Sequence, residues 1–334
     1  MSKIGFSLLL AGALVASTAM IAPGTAFAQS ITLNAAHVGT VPDHHFHKGF
    51  ERFAHHLNEL SDGRFEVVIH QGTMGGQREN VEQVQEGILD ITSTSLSLLG
   101  NFGGQVGVFD LPYLFASREE AYRALDSDVG QEVAEPLKEN NLLLLSYWEN
   151  GFRHVTNSAK PIMTPADLEG LRIRVPESPE YVMTFEAFGA RPTPMAWPEV
   201  FTGLQQGVID GQENPFGNTW DGNLYEVQKY MSLTGHVYAG NGVVMNYDRF
   251  QALTEEEQGW VMEAARLAQA EQRQYVQDMD EEFSGRLVER GMEINEVEDK
   301  AAFIAVAEKA YEANFYEKYG RELIERVRAA AQSN

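Results

Sequence analysis

The sequence predicts an α/β protein built mainly on parallel sheets, and three observations support this fold class. Strand patterns and helix patterns alternate along the chain, which is the order expected of βαβ units. The run 142–148 (LLLLSYW) is short and almost continuously apolar, as in a strand that is buried on both faces of a parallel sheet. The chain has 334 residues, 43% of them hydrophobic, which is enough for two domains with real cores.

The elements can be assigned in order from these patterns. The first predicted helix, over 43–60, carries Phe46, Phe50 and Phe53 on one face. The turn GTMGG at 72–76 then leads into a second helix. The predicted strands are 31–38, 64–70, 88–94, 142–148, 171–175 and 207–210, and the predicted helices include 43–60, 77–85 and a short one from Thr164 to Gly170.

The strand predicted at 171–175 (LRIRV) alternates strictly between apolar and basic residues. Its leucine, isoleucine and valine face one way, while Arg172 and Arg174 share the other face. A strand buried on both sides would not carry two arginines on one face. The arginine face therefore meets water, a partner or an anion.

One predicted helix is much longer than usual. Thr254 and Glu257 form a capping-box signature, and the helical pattern continues through Gly259 to Gly291. At 1.5 Å per residue such a helix runs roughly 50 Å, which exceeds the width of one small lobe. Its apolar positions do not keep a heptad, so we interpret it as a strut across two lobes.

The N-terminus has the form of a secretory signal peptide. Lys3 precedes a mostly apolar stretch over 4–21, and the small residues Ala26 and Ala28 flank Phe27 at a cleavage site. We therefore predict a signal peptide over 1–28, cleaved near Ala28, and a mature protein that is exported and not membrane-embedded. The alternative is an uncleaved anchor, because the apolar run is nearly long enough to span a bilayer.

Composition and charge exclude several function classes. The chain contains no cysteine, so disulfides, thiolate metal sites and cysteine nucleophiles are absent. Its net charge of −23 argues against nucleic acid or an anionic membrane as partners. Charges beyond about 8 Å are largely screened at physiological salt, so a few arginines in a cleft can still bind an anion.

Other motifs give no prediction of a metal, cofactor or catalytic site. Histidines cluster over 44–56, and three of them (His44, His47 and His55) could share one helix face. No acidic ligand pattern such as HExxH accompanies them, so we interpret them as a polar face and expect no metal. GTMGG lacks the GK[ST] of a phosphate-binding loop, and no GxSxG motif is present.

Four residues form the best candidate site. Arg153, Arg174 and Asn214 follow or end predicted strands, and open α/β sheets bind ligands at the carboxyl ends of their strands. The planar guanidinium of arginine binds a carboxylate through two parallel hydrogen bonds. Trp197 could cover the apolar side of a ligand. The alternative is that each arginine pairs on the surface with one of 48 acidic residues.

Ordered motifs along the whole mature chain resemble one family. The chain resembles the DctP-type extracytoplasmic solute receptors of tripartite ATP-independent periplasmic (TRAP) transporters. The motifs that carry this resemblance are GTMGGQRENVEQVQEGILDI (72–91), FDLPYLF (109–115), NGFRHVTN (150–157), GLRIRVP (170–176), GARPTPM (189–195), LQQGVIDGQENP (204–215) and YEVQKYMSLTGH (225–236).

The resemblance implies a two-lobed periplasmic receptor with hinge strands and a long helix that spans both lobes. It implies that lobe I comprises 29–152 plus about 238–270, and that lobe II comprises 153–237 plus about 271–334. By family motif, Arg174 binds the solute carboxylate, Arg153 is the second arginine, and Asn214 and Trp197 complete this side; many relatives carry phenylalanine or tyrosine in place of Trp197. By position we also expect His37, Gln77 and Ser95 near the ligand.

The function that the resemblance implies is binding and delivery, not catalysis. The receptor would capture an organic acid by lobe closure and deliver it to the membrane permease subunits of a TRAP transporter. The sequence leaves several solutes open: a hexuronate or other sugar acid, a C4-dicarboxylate, an ectoine-like zwitterion and sialic acid. A receptor for a different transporter or sensor, and an exported enzyme acting on organic acids, are the alternative functions. The role of Arg172 is also left open.

Overall fold

The computed structural model describes residues 30–298 and 300–333, so the predicted signal peptide lies outside the described residues. Two sheets and the helices around them account for most of this part of the chain. The strands are β1 (Ile31–His37), β2 (Phe65–Gln71), β3 (Ile91–Ser95), β4 (Leu142–Phe152), β5 (His154–Asn157), β6 (Arg172–Val175), β7 (Arg191–Pro194), β8 (Gly211–Asn214), β9 (Tyr230–Leu233), β10 (Tyr238–Asn246) and β11 (Glu293–Glu296). The α-helices are α1 (His45–Leu60), α2 (Gln77–Gln85), α3 (Leu96–Leu99), α4 (Arg118–Leu125), α5 (Asp128–Ala134), α6 (Pro179–Ala187), α7 (Val200–Gln205), α8 (Phe216–Asp221), α9 (Tyr247–Gln251), α10 (Glu255–Glu289), α11 (Ala301–Ala310), α12 (Tyr316–Tyr319) and α13 (Arg321–Gln332).

The fold class is mixed α/β with mostly parallel strand pairs, as the sequence predicts. The first sheet has the order β2-β1-β3-β10-β4, in which β1 runs parallel to both of its neighbours. The second sheet has the order β11-β9-β5-β8-β6-β7, in which β6 runs parallel to β7 and β8. Antiparallel pairs occur where β10 joins the first sheet and where β5 joins the second.

The chain passes between the two sheets along adjacent segments. It leaves the first sheet at the end of β4 and enters the second at β5, and it returns between β9 and β10. The two crossings are hydrogen-bonded to each other, because the Arg153 amide donates to the Val237 carbonyl at 2.9 Å and Tyr238 pairs with Phe152. These paired crossings are the hinge strands of the predicted architecture.

Helix α10 connects both parts of the molecule. It contains 35 residues and begins with the predicted capping box between Thr254 and Glu257. Its N-terminal half packs on α1 and β4, where the Gln272 side chain bonds both backbone groups of Glu149 at 2.8 and 2.7 Å. Further along, α10 packs on α8, so it is the strut that its length predicts.

The C-terminal helices pack against the first sheet's helices. Phe315, Ile324 and Val327 share one hydrophobic core with Leu125 of α4. We had expected 271–334 in lobe II, and this packing argues instead for counting α12 and α13 with lobe I. The remaining lobe boundaries stay predictions.

One predicted strand is displaced. We expected 207–210 to be a strand, but these residues form a turn with Gly207 at φ +67°, and β8 begins only at Gly211. The polar sequence GQEN does not resemble a buried strand, yet all four residues are buried. Gln212 and Glu213 tolerate burial because each forms hydrogen bonds to neighbouring side chains.

No described helix combines the length and the apolar character that crossing a bilayer requires.

Candidate functional site

A cavity of about 40 Å³ lies between the two sheets, next to the hinge strands. One water needs roughly 10–15 Å³ by the same measure, so the walls of this cleft stand close together. Six of the seven predicted site residues line it, and His37 does not. The lining residues are Val38, Phe46, Gln77, Ser95, Leu98, Asn150, Arg153, Arg174, Pro176, Glu177, Met195, Ala196, Trp197, Asn214 and Asn218.

Arg174 is a buried cation whose hydrogen-bond acceptor is a backbone carbonyl and not a carboxylate. Strand β6 holds it with its side chain in the cleft, and only 4% of the residue is exposed. Its Nε and Nη2 donate to the Met195 carbonyl at 2.9 and 2.6 Å, and its guanidinium lies 5.8 Å from the Trp197 ring centroid. It forms no salt bridge within the described part of the chain. Burial, with a further contribution from nearby Arg153, lowers the pKa of Arg174 from 12.5 to about 10, although nearby Glu213 opposes this shift.

Arg153, in contrast, already has an acidic partner. Its Nε and Nη2 donate to the Glu213 carboxylate at 2.5 and 2.8 Å, and Nη2 also donates to the Glu213 carbonyl at 2.7 Å. His236 contacts the same carboxylate at 3.0 Å. Burial acts to lower the pKa of Arg153, but the charge of Glu213 outweighs it and the pKa lies above the usual value. The cleft therefore contains two arginines, of which Arg153 is ion-paired and Arg174 is not.

Asn214 is held in place by a chain of side-chain hydrogen bonds. Its Nδ2 donates to Gln212 Oε1 at 2.5 Å, and Gln212 Nε2 donates to the Thr156 hydroxyl at 2.9 Å. Thr156 in turn donates to Gln228 Oε1 at 3.0 Å. The Oδ1 of Asn214 has no hydrogen-bond partner among the residues that the structure describes, so it is available to accept from a ligand hydroxyl.

Gln77 and Ser95 lie together on the opposite wall. Gln77 is the first residue of α2, which the GTMGG turn positions, and Ser95 ends β3. The Ser95 hydroxyl donates to Gln77 Oε1 at 3.3 Å. Hydroxyl and amide groups of this kind bind the hydroxyls of a polar solute without adding charge.

His37 lies behind the cleft instead of in it. Successive side chains of a strand point to opposite faces, and here the next residue, Val38, lines the cavity. The His37 side chain faces α1, where its Nε2 is 3.1 Å from His47 Nδ1 and its ring stacks 6.0 Å from Phe50. Its position supports a structural role in packing β1 on α1.

The structure also resolves the open question about Arg172. This residue forms a two-bond ion pair with Asp210 at the edge of the second sheet, with Nε–Oδ2 and Nη2–Oδ1 distances of 3.0 and 2.5 Å. Its side chain is 43% exposed. The alternation in 171–175 therefore separates a surface pair, Arg172 with Asp210, from the cleft residue Arg174.

Sequence reasoning missed two amides and one acid in the cleft. Asn150 lies three residues before Arg153 in the NGFR motif, and Asn218 lies on α8 just after the ENP motif. Glu177 follows the RVP segment directly. Their proximity to recognised motifs was the available signal, but side-chain direction depends on the fold around them.

Comparison with known proteins agrees with this architecture. Residues 35–318 match the family model of the bacterial extracellular solute-binding proteins, family 7. The chain is 33% identical, over 90% of each chain, to the 2,3-diketo-L-gulonate-binding periplasmic protein YiaO of Escherichia coli K12. It is similar to two TRAP periplasmic solute-binding proteins of known structure. One, from Bordetella, has density assigned to pantoate (38% identity, 90% and 99% coverage of this chain and that chain, TM-score 0.87). The other, from Polaromonas, is bound to D-erythronate (34% identity, 91% and 99% coverage, TM-score 0.87).

The family match spans most of the chain, the relatives align over nearly their full length, and the fold is shared. The chain belongs to the DctP family, the extracytoplasmic solute receptors of TRAP transporters.

Proposed function

We propose that this receptor binds a sugar acid with a single carboxylate and delivers it to the membrane permease of a TRAP transporter. The chain is a receptor and not an enzyme, as are the family and the structures that it resembles. The specific solute and the residues that bind it are our proposal, and it depends on one observation: Arg174 is buried in the cleft and forms no ion pair with any residue that the structure describes.

The balance of charge favours a monocarboxylate. An unpaired buried cation is costly, so an anion that binds beside Arg174 gains a strong, charge-assisted interaction. Arg153 offers no second positive charge of this kind, because Glu213 already neutralises it. Glu177 also lines the cleft, but it is an acid that pairs with Arg78 at 3.8 Å and so supplies no cation for a second carboxylate. A C4-dicarboxylate would therefore bring one negative charge more than the cleft compensates.

The remaining polar groups suit a chain or ring of hydroxyls. Asn150, Asn214 and Asn218 contribute amides, and Gln77 and Ser95 face them across the cavity. Neutral amides can both donate to and accept from hydroxyl groups, of which succinate has none and malate only one. The relatives named above bind 2,3-diketo-L-gulonate and D-erythronate, which are polyhydroxylated acids with one carboxylate.

Isothermal titration calorimetry against matched acids tests this proposal. The panel is D-erythronate, L-galactonate and D-glucuronate on one side and succinate and malate on the other. We expect at least one sugar acid to bind about tenfold or more tightly than either dicarboxylate. Equal or tighter binding of succinate would refute the charge argument. An uncharged sugar alcohol of the same length serves as the control for the contribution of the carboxylate.

Capture by lobe closure follows from the position of the cleft. Its lining residues come from both sheets, and a cavity of about 40 Å³ admits a sugar acid only after the walls separate. Closure around the solute then excludes water and strengthens the contact with Arg174.

We further propose that the precursor is cleaved near Ala28 and that the closed form docks on the permease. Mass spectrometry of the exported protein tests the cleavage site.

A further inference from the structure

Three buried side chains outside the cleft bring their ligand atoms close together. They are His44 and His45 at the start of α1 and Asp221 at the end of α8, and their ligand atoms all lie within 4.8 Å of one another. The residues are 1%, 6% and 9% exposed. Among the residues that the structure describes, the Nε2 atoms of both histidines have no hydrogen-bond partner. Buried polar atoms are nearly always paired, so two unpaired nitrogens beside a carboxylate require an explanation.

The surroundings of this cluster favour a cation. The Asp221 carboxylate accepts no hydrogen bond and forms no ion pair within the described residues, and Asp221 shares a cavity of about 350 Å³ with Asp43 and the aromatic residues Trp220 and Tyr275. The adjoining cavity gives a hydrated ion a route to the cluster.

We propose that His44, His45 and Asp221 bind one divalent transition-metal ion, with Zn²⁺ as the best fit to two imidazoles and one carboxylate. Zn²⁺ takes nitrogen ligands at about 2.0–2.1 Å and carboxylate oxygen at about 2.0–2.2 Å, and sites with three protein ligands complete the shell with water. The sequence predicted no metal because no acidic ligand pattern such as HExxH accompanies the histidines. The third ligand lies far along the chain, and only the fold brings it to α1.

The two histidines differ in how ready they are to bind a metal. The second nitrogen of His45 lies by the Asn150 side chain, so its Nε2 can present a lone pair. The Nδ1 of His44 accepts the Phe46 amide at 3.2 Å, which places the ring proton on Nε2. Coordination through His44 Nε2 moves that proton to Nδ1 and opens the contact with Phe46. Metal binding therefore exchanges this N-cap bond for a metal bond.

Such an ion would join the two lobes. His44 and His45 belong to the helix that packs on the first sheet, whereas α8 follows β8 of the second sheet. Asn150 and Asn218, which line the solute cleft, lie beside His45 and on α8 respectively. By linkage, an ion that favours the closed arrangement tightens solute binding by the same factor as the solute tightens metal binding.

Calorimetric titration with Zn²⁺, without any organic acid, tests the site. A second, exposed group of His55, His56 and Glu59 also has metal-ligand spacing, so the starting protein is the full chain with His55→Gln and His56→Gln. We expect one remaining Zn²⁺ site and a Zn²⁺-dependent rise in thermal midpoint. Adding Asp221→Asn or His45→Gln should each weaken Zn²⁺ binding by at least about tenfold. Thermal melts in EDTA establish that the variants fold.

Two results would overturn the proposal. The first is loss of all Zn²⁺ binding in the His55→Gln, His56→Gln protein, which would assign binding to the exposed group. The second is unchanged Zn²⁺ affinity in Asp221→Asn, which would remove the contribution of α8 and with it the link between lobes. Because these titrations contain no solute, failure of the sugar-acid assignment would leave their outcome unaffected.

Discussion

Replacing Arg174 is the sharpest test of how the cleft works, because stability and affinity should move in opposite directions. The fall in the pKa of Arg174 from 12.5 to about 10 means that the folded, ligand-free protein disfavours the charged form by about 3 kcal/mol. At neutral pH the guanidinium is protonated in both the folded and the unfolded state, so the folded protein bears the full cost of burying the charge. Arg174→Met removes the charge but keeps much of the side-chain volume.

We expect Arg174→Met to fold with a free energy of unfolding at least equal to that of the wild type. The gain is less than about 3 kcal/mol, because the two hydrogen bonds to Met195 and the contact with Trp197 are lost. Its affinity for the solute should fall by about 2–3 kcal/mol or more, since the bound carboxylate would be left buried without a partner. Arg174→Lys should recover little of this affinity because the planar fork is lost.

Chemical denaturation measures the first quantity and calorimetry with the tightest acid of the panel measures the second. Arg172→Met is the matched control, because this arginine lies on the same strand but pairs with Asp210 at the surface. It should leave solute affinity unchanged. Undiminished affinity in Arg174→Met, or an equal loss in Arg172→Met, would refute the assignment of Arg174 as the carboxylate ligand.

Three further predictions concern the hinge and the cleft wall. Glu213→Gln leaves Arg153 buried beside a neutral group and should lower the free energy of unfolding, measured by urea titration, by about 3 kcal/mol. A loss below about 1 kcal/mol would contradict a strong ion pair between Arg153 and Glu213. His154 is buried and its pKa falls from 6.5 to about 3, so the unfolded state takes up the proton first and stability decreases as pH falls below 6.5. The variant His154→Asn can still accept a hydrogen bond from the Gly235 amide. Between pH 7 and 5 its free energy of unfolding should fall by about 2 kcal/mol less than that of the wild type, and parallel profiles for the two proteins would show that His154 does not cause the pH dependence. Gly222→Ala places a Cβ 2.9 Å from Trp197 Cζ2 and 3.0 Å from the Asn218 carbonyl, so Trp197 must shift and calorimetry should show roughly tenfold weaker solute binding. Gly285→Ala on α10, whose Cβ meets nothing within 4 Å, is the control and should leave affinity unchanged.

Much of the fold could be predicted from local patterns. Strong local signals mark three elements that the structure contains. They are the first helix with its apolar face, the long α10 with its capping box, and the apolar strand β4. The prediction failed for β8, whose sequence GQEN has no apolar signal. Its burial depends on partners such as Thr156 and His236, which come from other parts of the chain.

The sequence also predicted some residues of the candidate site better than others. Motif positions identified Arg153, Arg174, Trp197 and Asn214, and the structure brings all four to one cavity. His37 was misplaced by a single residue, because a strand sends successive side chains to opposite faces. A one-residue error in register is invisible in composition, but it exchanges a cleft residue for a core residue.

The sequence by itself determined the family, the presence of two arginines at strand ends and the long helix, because these depend on residues that are near one another in the chain. Only the tertiary structure decided which arginine carries a free charge. Glu213 neutralises Arg153 and Asp210 pairs with Arg172, while Arg174 faces the cleft beside the Met195 carbonyl and the Trp197 ring, without an ion pair among the described residues. Charge compensation depends on distances across strands and lobes, and those distances exist only in the folded protein.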